Sequence, residues 1–471
     1  MAVTTARAAA QVARSACDRC YQLKERCKRA SITSSCERCE RLEQVCLTVR
    51  PILPTGRRKK RCGHAVTQVK PSRSISTIDT LRHVSSWLRE NTDLSPDEKE
   101  LMMFLLRDSP PLQYSVVGPR HADAEQESFA SQLPSSWPVL KDAYLAYAGV
   151  LKLLAQGSTT EIDENSIIRH TTAAMIALRQ LPITNSNDAK LCLQLGFALA
   201  FSVYAIVGVG VSDICQYCLS ITRSFTEDGT IDPGTESRIS FLVLLETTEC
   251  LVRRQKPTLR LQPRAPGSVD RHLGLCLPLL PYYHDLCVIS YSLVNGTDLN
   301  CTGLLQKQLS EIQGQVDKWQ PSHPEGFLHQ YSTAEVIHLL AQAKVYRLAA
   351  LLMIHRLQYL FGQKDSQADI WSREIMMELD LARRISNQPA RFVTVPFIIA
   401  AIETRDATER EKVNQNVDLY VDQFTPVVQK ATKTFLWRVW RERDERVDCS
   451  WFDMIHKPCV AFDSIVGSFL G

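Results

Sequence analysis

Residues 16–46 read ACDRCYQLKERCKRASITSSCERCERLEQVC. Six cysteines fall here as Cys17-x2-Cys20-x6-Cys27-x8-Cys36-x2-Cys39-x6-Cys46, a Cys-x2-Cys-x6-Cys triplet written twice, while the other ten of the chain's 16 cysteines are scattered. A thiolate is a soft ligand that holds Zn²⁺ at about 2.3 Å, and a Cys-x2-Cys pair brings two sulfurs to one metal from a single turn. Three sulfurs per triplet cannot complete a tetrahedron, whereas two sulfurs shared between two ions give each ion four. The spacing therefore predicts a binuclear cluster of two Zn²⁺ with a net charge of about −2, which neighbouring Lys and Arg offset. The competing reading, three disulfides, needs an oxidising compartment. The leading MAVTTARAAAQVARSA has no apolar stretch of signal-peptide length, and its Ala/Arg-rich, acid-free composition only faintly resembles a mitochondrial presequence.

Charge is as uneven as cysteine. The chain carries 55 Lys+Arg against 51 Asp+Glu, a formal +4 over 471 residues. Residues 1–61 hold fifteen Lys/Arg and five acids, which makes this head +10 and leaves the remainder at −6. Clustered Lys and Arg neutralise phosphates, so nucleic acid is the expected partner of the head and not of the body.

The cysteine array with its interleaved bases resembles the DNA-binding module of fungal binuclear zinc-cluster transcription factors, over about thirty residues. The resemblance implies that Cys17 and Cys36 bridge the two metals. One ion would then see Cys17, Cys20, Cys27 and Cys36, and the other Cys36, Cys39, Cys46 and Cys17. It also implies two short helices beginning near Asp18 and Glu37, the first pointing its C-terminal end into the DNA major groove. Lys24 occupies the position of the family's base reader for a CGG-like triplet, and a Lys ammonium can donate to guanine O6 and N7. Arg26, Lys28 and Arg29 are expected over phosphates, with Arg19, Arg38 and Arg41 as further candidates. Tyr21 and Leu23 stand where family members usually carry bases, and the loop 30–35 lacks the proline that often precedes the fourth cysteine.

Beyond Cys46, Pro51 and Pro54 break the chain before five consecutive bases, Arg57, Arg58, Lys59, Lys60 and Arg61. Such a block reads as a nuclear import signal, a phosphate-tracking arm, or both. The expected division is a disordered 1–14, a zinc-cluster DNA-binding domain at 15–48, a basic linker at 49–75 and an all-α regulatory region at 76–471. In that region Ser95 with Glu98 and Ser332 with Glu335 are capping boxes, the first with Pro96 at the opening helical position. Helices are expected over 97–107, 139–156, 162–181, 189–222, 237–255, 299–319, 336–361, 370–386 and 413–441. Breaks rich in Pro or Gly fall at 108–138, 228–234, 256–281 and 320–326. The apolar stripe Ile75, Ile78, Leu81, Val84, Trp87, Leu88 is too short for a coiled coil, so homodimerisation stays open.

Weaker features have bland readings. Leu191–Ser212 carries no charge over about a bilayer's length, yet Gln194 and its glycines favour a buried core helix over a membrane span. Cys215-x2-Cys218 and Glu335-x2-His338 lack the further ligands a metal site needs, and Gly208-x-Gly210 lacks the strand and third glycine of a dinucleotide site. The aromatic and acidic tail from Trp437 to Phe469 has the composition of an activation segment, but interleaved arginines favour a packed helix end.

The reading is a small binuclear zinc-cluster DNA-binding module followed by a large all-α regulatory domain. It describes a nuclear, sequence-specific, RNA polymerase II type transcription factor. The partners are double-stranded DNA with CGG-like half-sites and the transcription machinery, with no membrane. By analogy with regulators of similar layout, the targets are genes of a metabolic or secondary-metabolite cluster, with activation as the sign. The alternatives are an RNA- or protein-binding zinc module, or a ligand-sensing or enzymatic helical body localised by the zinc head. No nucleophile, acid–base pair or phosphate loop supports an enzyme.

Overall fold

The structure is a computed structural model that describes residues 16–29, 34–47, 75–107, 112–156, 164–228, 233–262, 267–295 and 299–445. Residues 1–14, the Arg57–Arg61 block and the tail beyond 445 lie outside them. The chain divides into two compact units, Met1–Lys70 and Pro71–Gly471. The first holds two five-residue helices, Asp18–Gln22 and Glu37–Arg41, each opened by a cysteine as N-cap. Among its described residues the second is built of helices and the loops between them, with one isolated bridge, Asp270 to Gly274, as the only extended pairing.

Local chemistry starts these helices where the sequence signals it. Ser95 Oγ accepts the Glu98 N–H while Glu98 Oε2 accepts the Ser95 N–H, and this reciprocal cap opens Pro96–Arg107. Ser332 and Glu335 do the same for Thr333–Gln358. Asn185 caps Ser186–Ile206 by accepting from the Asn187 and Asp188 N–H groups.

The Ser186–Ile206 helix is the hub. It packs against Lys141–Gln156, Glu164–Gln180, Val211–Ile221, Pro233–Arg253 and Pro426–Glu445. A helix enclosed on all sides needs no polar face, which explains the charge-free stretch read in the sequence. Ser186–Ile206 and Thr333–Gln358 are long and apolar enough to cross a membrane, but most of each is buried within the body. Gly196 is a close-approach position, since a Cβ there would collide with Cys218 Sγ on the neighbouring helix.

Four expectations are corrected. The helix read over 189–222 is two, Ser186–Ile206 and Val211–Ile221, because Gly208 and Gly210 adopt φ of 73° and 75° and turn the chain. The helix read over 413–441 is also two, Ala407–Tyr420 and Pro426–Glu445. Between them the chain turns inward, stacking Phe424 on Phe201 at 4.7 Å and burying Val421. The break read over 108–138 contains the helix Pro119–Ser136, and the break ending at 281 gives way at Leu280 to Leu280–Asn295. Proline in a first turn opens a helix, so Pro119 and Pro281 are poor break signals. The described part of the aromatic tail is a packed helix end, with Trp440 fully buried and its indole N–H donating to Ala401 O at 3.0 Å.

A buried ionic node ties Pro119–Ser136 to Ser186–Ile206, Pro233–Arg253 and the segment around Arg271. Arg238 Nη1 lies 2.5 Å from Glu125 Oε1, Arg271 Nη1 lies 2.8 Å from Glu125 Oε2, and Arg238 Nε donates to Gln194 Oε1 at 3.0 Å. Burial alone would push the Glu125 carboxyl up, but Arg238 and Arg271 outweigh it and hold it at about 2 against an ordinary 4.5. Removing one member of a buried pair strands its partner, so Glu125→Ala should destabilise the unit by about 3–5 kcal/mol in urea denaturation. The stability supplied by this carboxylate is present above about pH 4.5 and is lost as pH falls toward 2. Glu125→Gln should therefore flatten that acid limb, and an unchanged limb would show that the node does not set it.

Candidate metal centre and nucleic-acid interface

The local fold of the first unit is built from hydrogen bonds to sulfur. Cys17 and Cys36 sit at helix N-caps, where their sulfurs accept the N–H of Cys20 at 3.5 Å and of Cys39 at 3.4 Å. Their own N–H groups donate to Cys27 Sγ at 3.3 Å and to Cys46 Sγ at 3.4 Å. The sulfurs converge in two groups of four, Cys17, Cys20, Cys27, Cys36 and Cys17, Cys36, Cys39, Cys46, with all atoms of a group within 4.8 Å of one another. Cys17 and Cys36 belong to both.

The donor set fits Zn²⁺. Sulfurs at about 2.3 Å from a tetrahedral ion lie about 3.8 Å apart. Here Cys17 Sγ is 3.9 Å from Cys36 Sγ and 3.8 Å from Cys39 Sγ, and Cys20 Sγ is 3.7 Å from Cys36 Sγ. Thiol electrostatics single out the two common members. The Cys39 N–H, working against burial, draws Cys36 down to about 6, and Cys17 is also lowered because its hydrogen bonds outweigh burial. Burial and the neighbouring sulfurs push Cys39 up to about 12 and Cys20 higher still. The backbone donates an N–H to four of the sulfurs, those of Cys17, Cys27, Cys36 and Cys46, and of these only Cys17 and Cys36 belong to both groups.

The two halves repeat each other at an offset of 19 residues, in bonds as well as in spelling. The Asp18 N–H donates to Leu47 O at 2.9 Å and the Glu37 N–H to Lys28 O at 3.0 Å, so each half closes on the tail of the other. Glu25 N–H to Cys20 O at 2.9 Å is matched by Gln44 N–H to Cys39 O at 2.8 Å. Arg19 donates to Gln44 Oε1 at 2.7 Å, and Arg38 meets Glu25 Oε1 at 3.2 Å. These two straps were not singled out from the sequence. The 19-residue repeat was the available signal, because equivalent residues in a two-fold arrangement make equivalent contacts.

The expected DNA contacts are placed as follows. Lys24, Arg26 and Lys28 are exposed on the segment that follows the first helix, and Lys24 takes a left-handed φ of 54°. Arg29 is half-buried, and Arg19 is exposed but engaged with Gln44. The Arg57–Arg61 arm lies outside the described residues. Elsewhere, Cys215 and Cys218 are buried, Glu335 is occupied by its cap and by the Arg120 N–H, and His338 bonds Ser386 Oγ at 2.7 Å. No group of three or more metal-ligating side chains other than the two cysteine sets converges among the described residues.

Comparison with known proteins bears on the other unit. Residues 237–462 match a family model described as a fungal specific transcription factor domain. No curated protein and no solved structure matches the chain. The matched family is a transcription-factor domain and not an enzyme family, so this chain, mostly helical with a cysteine cluster near its N-terminus that could bind metal, is similar to transcription regulators.

Proposed function

We propose that the chain is a sequence-specific, RNA polymerase II type transcription factor of the zinc-cluster kind. Residues 15–48 take up two Zn²⁺ and bind double-stranded DNA, 49–75 form a basic linker, and 76–471 regulate. The observation that carries this reading is the pair of four-sulfur groups sharing Cys17 and Cys36, in the same chain as a transcription-factor domain match. One ion would be held by Cys17, Cys20, Cys27 and Cys36, the other by Cys17, Cys36, Cys39 and Cys46. Bound zinc supplies the cross-link that fixes both short helices.

Lys24 then offers its ammonium to guanine O6 and N7 of a CGG-like triplet. Arg26, Lys28, Arg29 and Arg19 hold phosphates, and the Arg57–Arg61 arm extends the phosphate track and directs nuclear import. The helical region relays regulation to the transcription machinery, with activation of a metabolic or secondary-metabolite gene cluster as the output.

Two experiments test this. In zinc titrations of the full chain followed by native mass spectrometry, Cys27→Ser should lose one ion and Cys36→Ser should disturb both. Equal losses would count against shared sulfurs. Selection from a random duplex library should enrich a CGG-like triplet only with zinc present. Lys24→Ala should weaken binding to the enriched site by about 1–3 kcal/mol and relax its guanine preference. Unchanged selectivity would remove Lys24 as the reader.

A further inference from the structure

The zinc-cluster segment contains two copies of one backbone device, yet only one copy carries charge suited to DNA. Residues 18–28 and 37–47 share their capping, their sulfur contacts, their cross-straps and a left-handed residue after the helix, Lys24 at φ 54° and Glu43 at φ 51°. Their side chains diverge. Residues 18–28 hold four bases and two acids, whereas 37–47 hold two bases and three acids. The contrast is sharpest after the helices, where Lys24, Arg26 and Lys28 are matched by Glu43, Val45 and Leu47. All six are exposed, Val45 at 76% and Leu47 at 57%, so none is explained by packing within the unit.

We propose that residues 37–47 are a charge-inverted copy of the DNA-facing half, and that Glu43, Val45 and Leu47 confine DNA to one face of the cluster. The inference rests on the DNA-binding reading above. A carboxylate at the tip of the second half would face the guanine O6 and N7 acceptors that Lys24 donates to in the first, with no proton to offer them, and apolar side chains at 45 and 47, matching the phosphate-holding Arg26 and Lys28, release no counterions. Without this inversion the pseudo-two-fold backbone would present two equivalent faces, and a bound cluster would have no unique polarity on a half-site. Glu43 is thus a specificity-determining residue that acts by exclusion.

An exchange of side chains between equivalent positions tests this in the full chain. The first variant is Lys24→Glu with Arg26→Val and Lys28→Leu. The second adds Glu43→Lys, Val45→Arg and Leu47→Lys, completing the exchange. Binding to a labelled duplex with a single CGG triplet is read by fluorescence anisotropy in excess non-specific competitor, with zinc content measured for each protein. We expect the first variant to lose about tenfold or more in affinity and the completed exchange to regain most of it, at unchanged zinc content. An exchange variant that binds no better than the first overturns the proposal and leaves the DNA reading standing. A wild-type protein without zinc-dependent binding, or a first variant that binds like wild type, overturns the DNA reading and this proposal with it.

Discussion

Cys17 and Cys36 are the constraint on which the first unit depends. Its buried side chains among the described residues are four cysteines, with Cys27 and Cys46 packed against them, while Tyr21, Leu23, Leu42, Val45 and Leu47 face solvent. A segment this short cannot bury enough apolar surface to fold by the hydrophobic effect alone. Sulfur replaces the core: each shared cysteine caps a helix, receives a backbone N–H and sends its own N–H to the third cysteine of its triplet. In such a site, metal affinity and folding free energy are the same quantity. Because packing demands nothing of the exposed residues between the cysteines, matching backbone can carry opposite charges, as Lys24 and Glu43 do.

The helical unit works by the opposite principle. One continuous core runs from Val84 to Trp440, and the Ser186–Ile206 helix touches five others. The segment matched by the transcription-factor family begins at residue 237, yet Arg238 finds its partners at Glu125 and Gln194, and Arg271 also reaches Glu125. Breaking the chain ahead of the matched segment would strand a buried guanidinium and expose the face covered by Phe197 and Phe201. The matched segment is therefore one part of a larger cooperative body that starts upstream near residue 75.

Legibility differed with the kind of signal. Capping boxes at Ser95 and Ser332 were readable because a cap is a contact between residues three apart. The break at Val421–Thr425 carried one local signal, Pro426 at the first position of Pro426–Glu445, while the stacking of Phe424 on Phe201 that buries the turn joins residues more than two hundred positions apart. The helix Pro119–Ser136 was hidden for a related reason. It carries Glu125 and Gln126 on its buried side, polar residues whose partners, Arg238 and the Leu106 carbonyl, are supplied by other elements.

By itself the sequence determined the duplicated cysteine spacing of the head, its basic charge and the helical character of the body. Ligand type, spacing and periodicity are properties of neighbouring residues and survive without a fold. Only the tertiary structure decided that Arg19 and Arg38 strap the halves together and that Arg238 and Arg271 converge on Glu125. Those outcomes depend on groups brought together from distant positions, and the energy that selects them exists only once the chain has closed on itself.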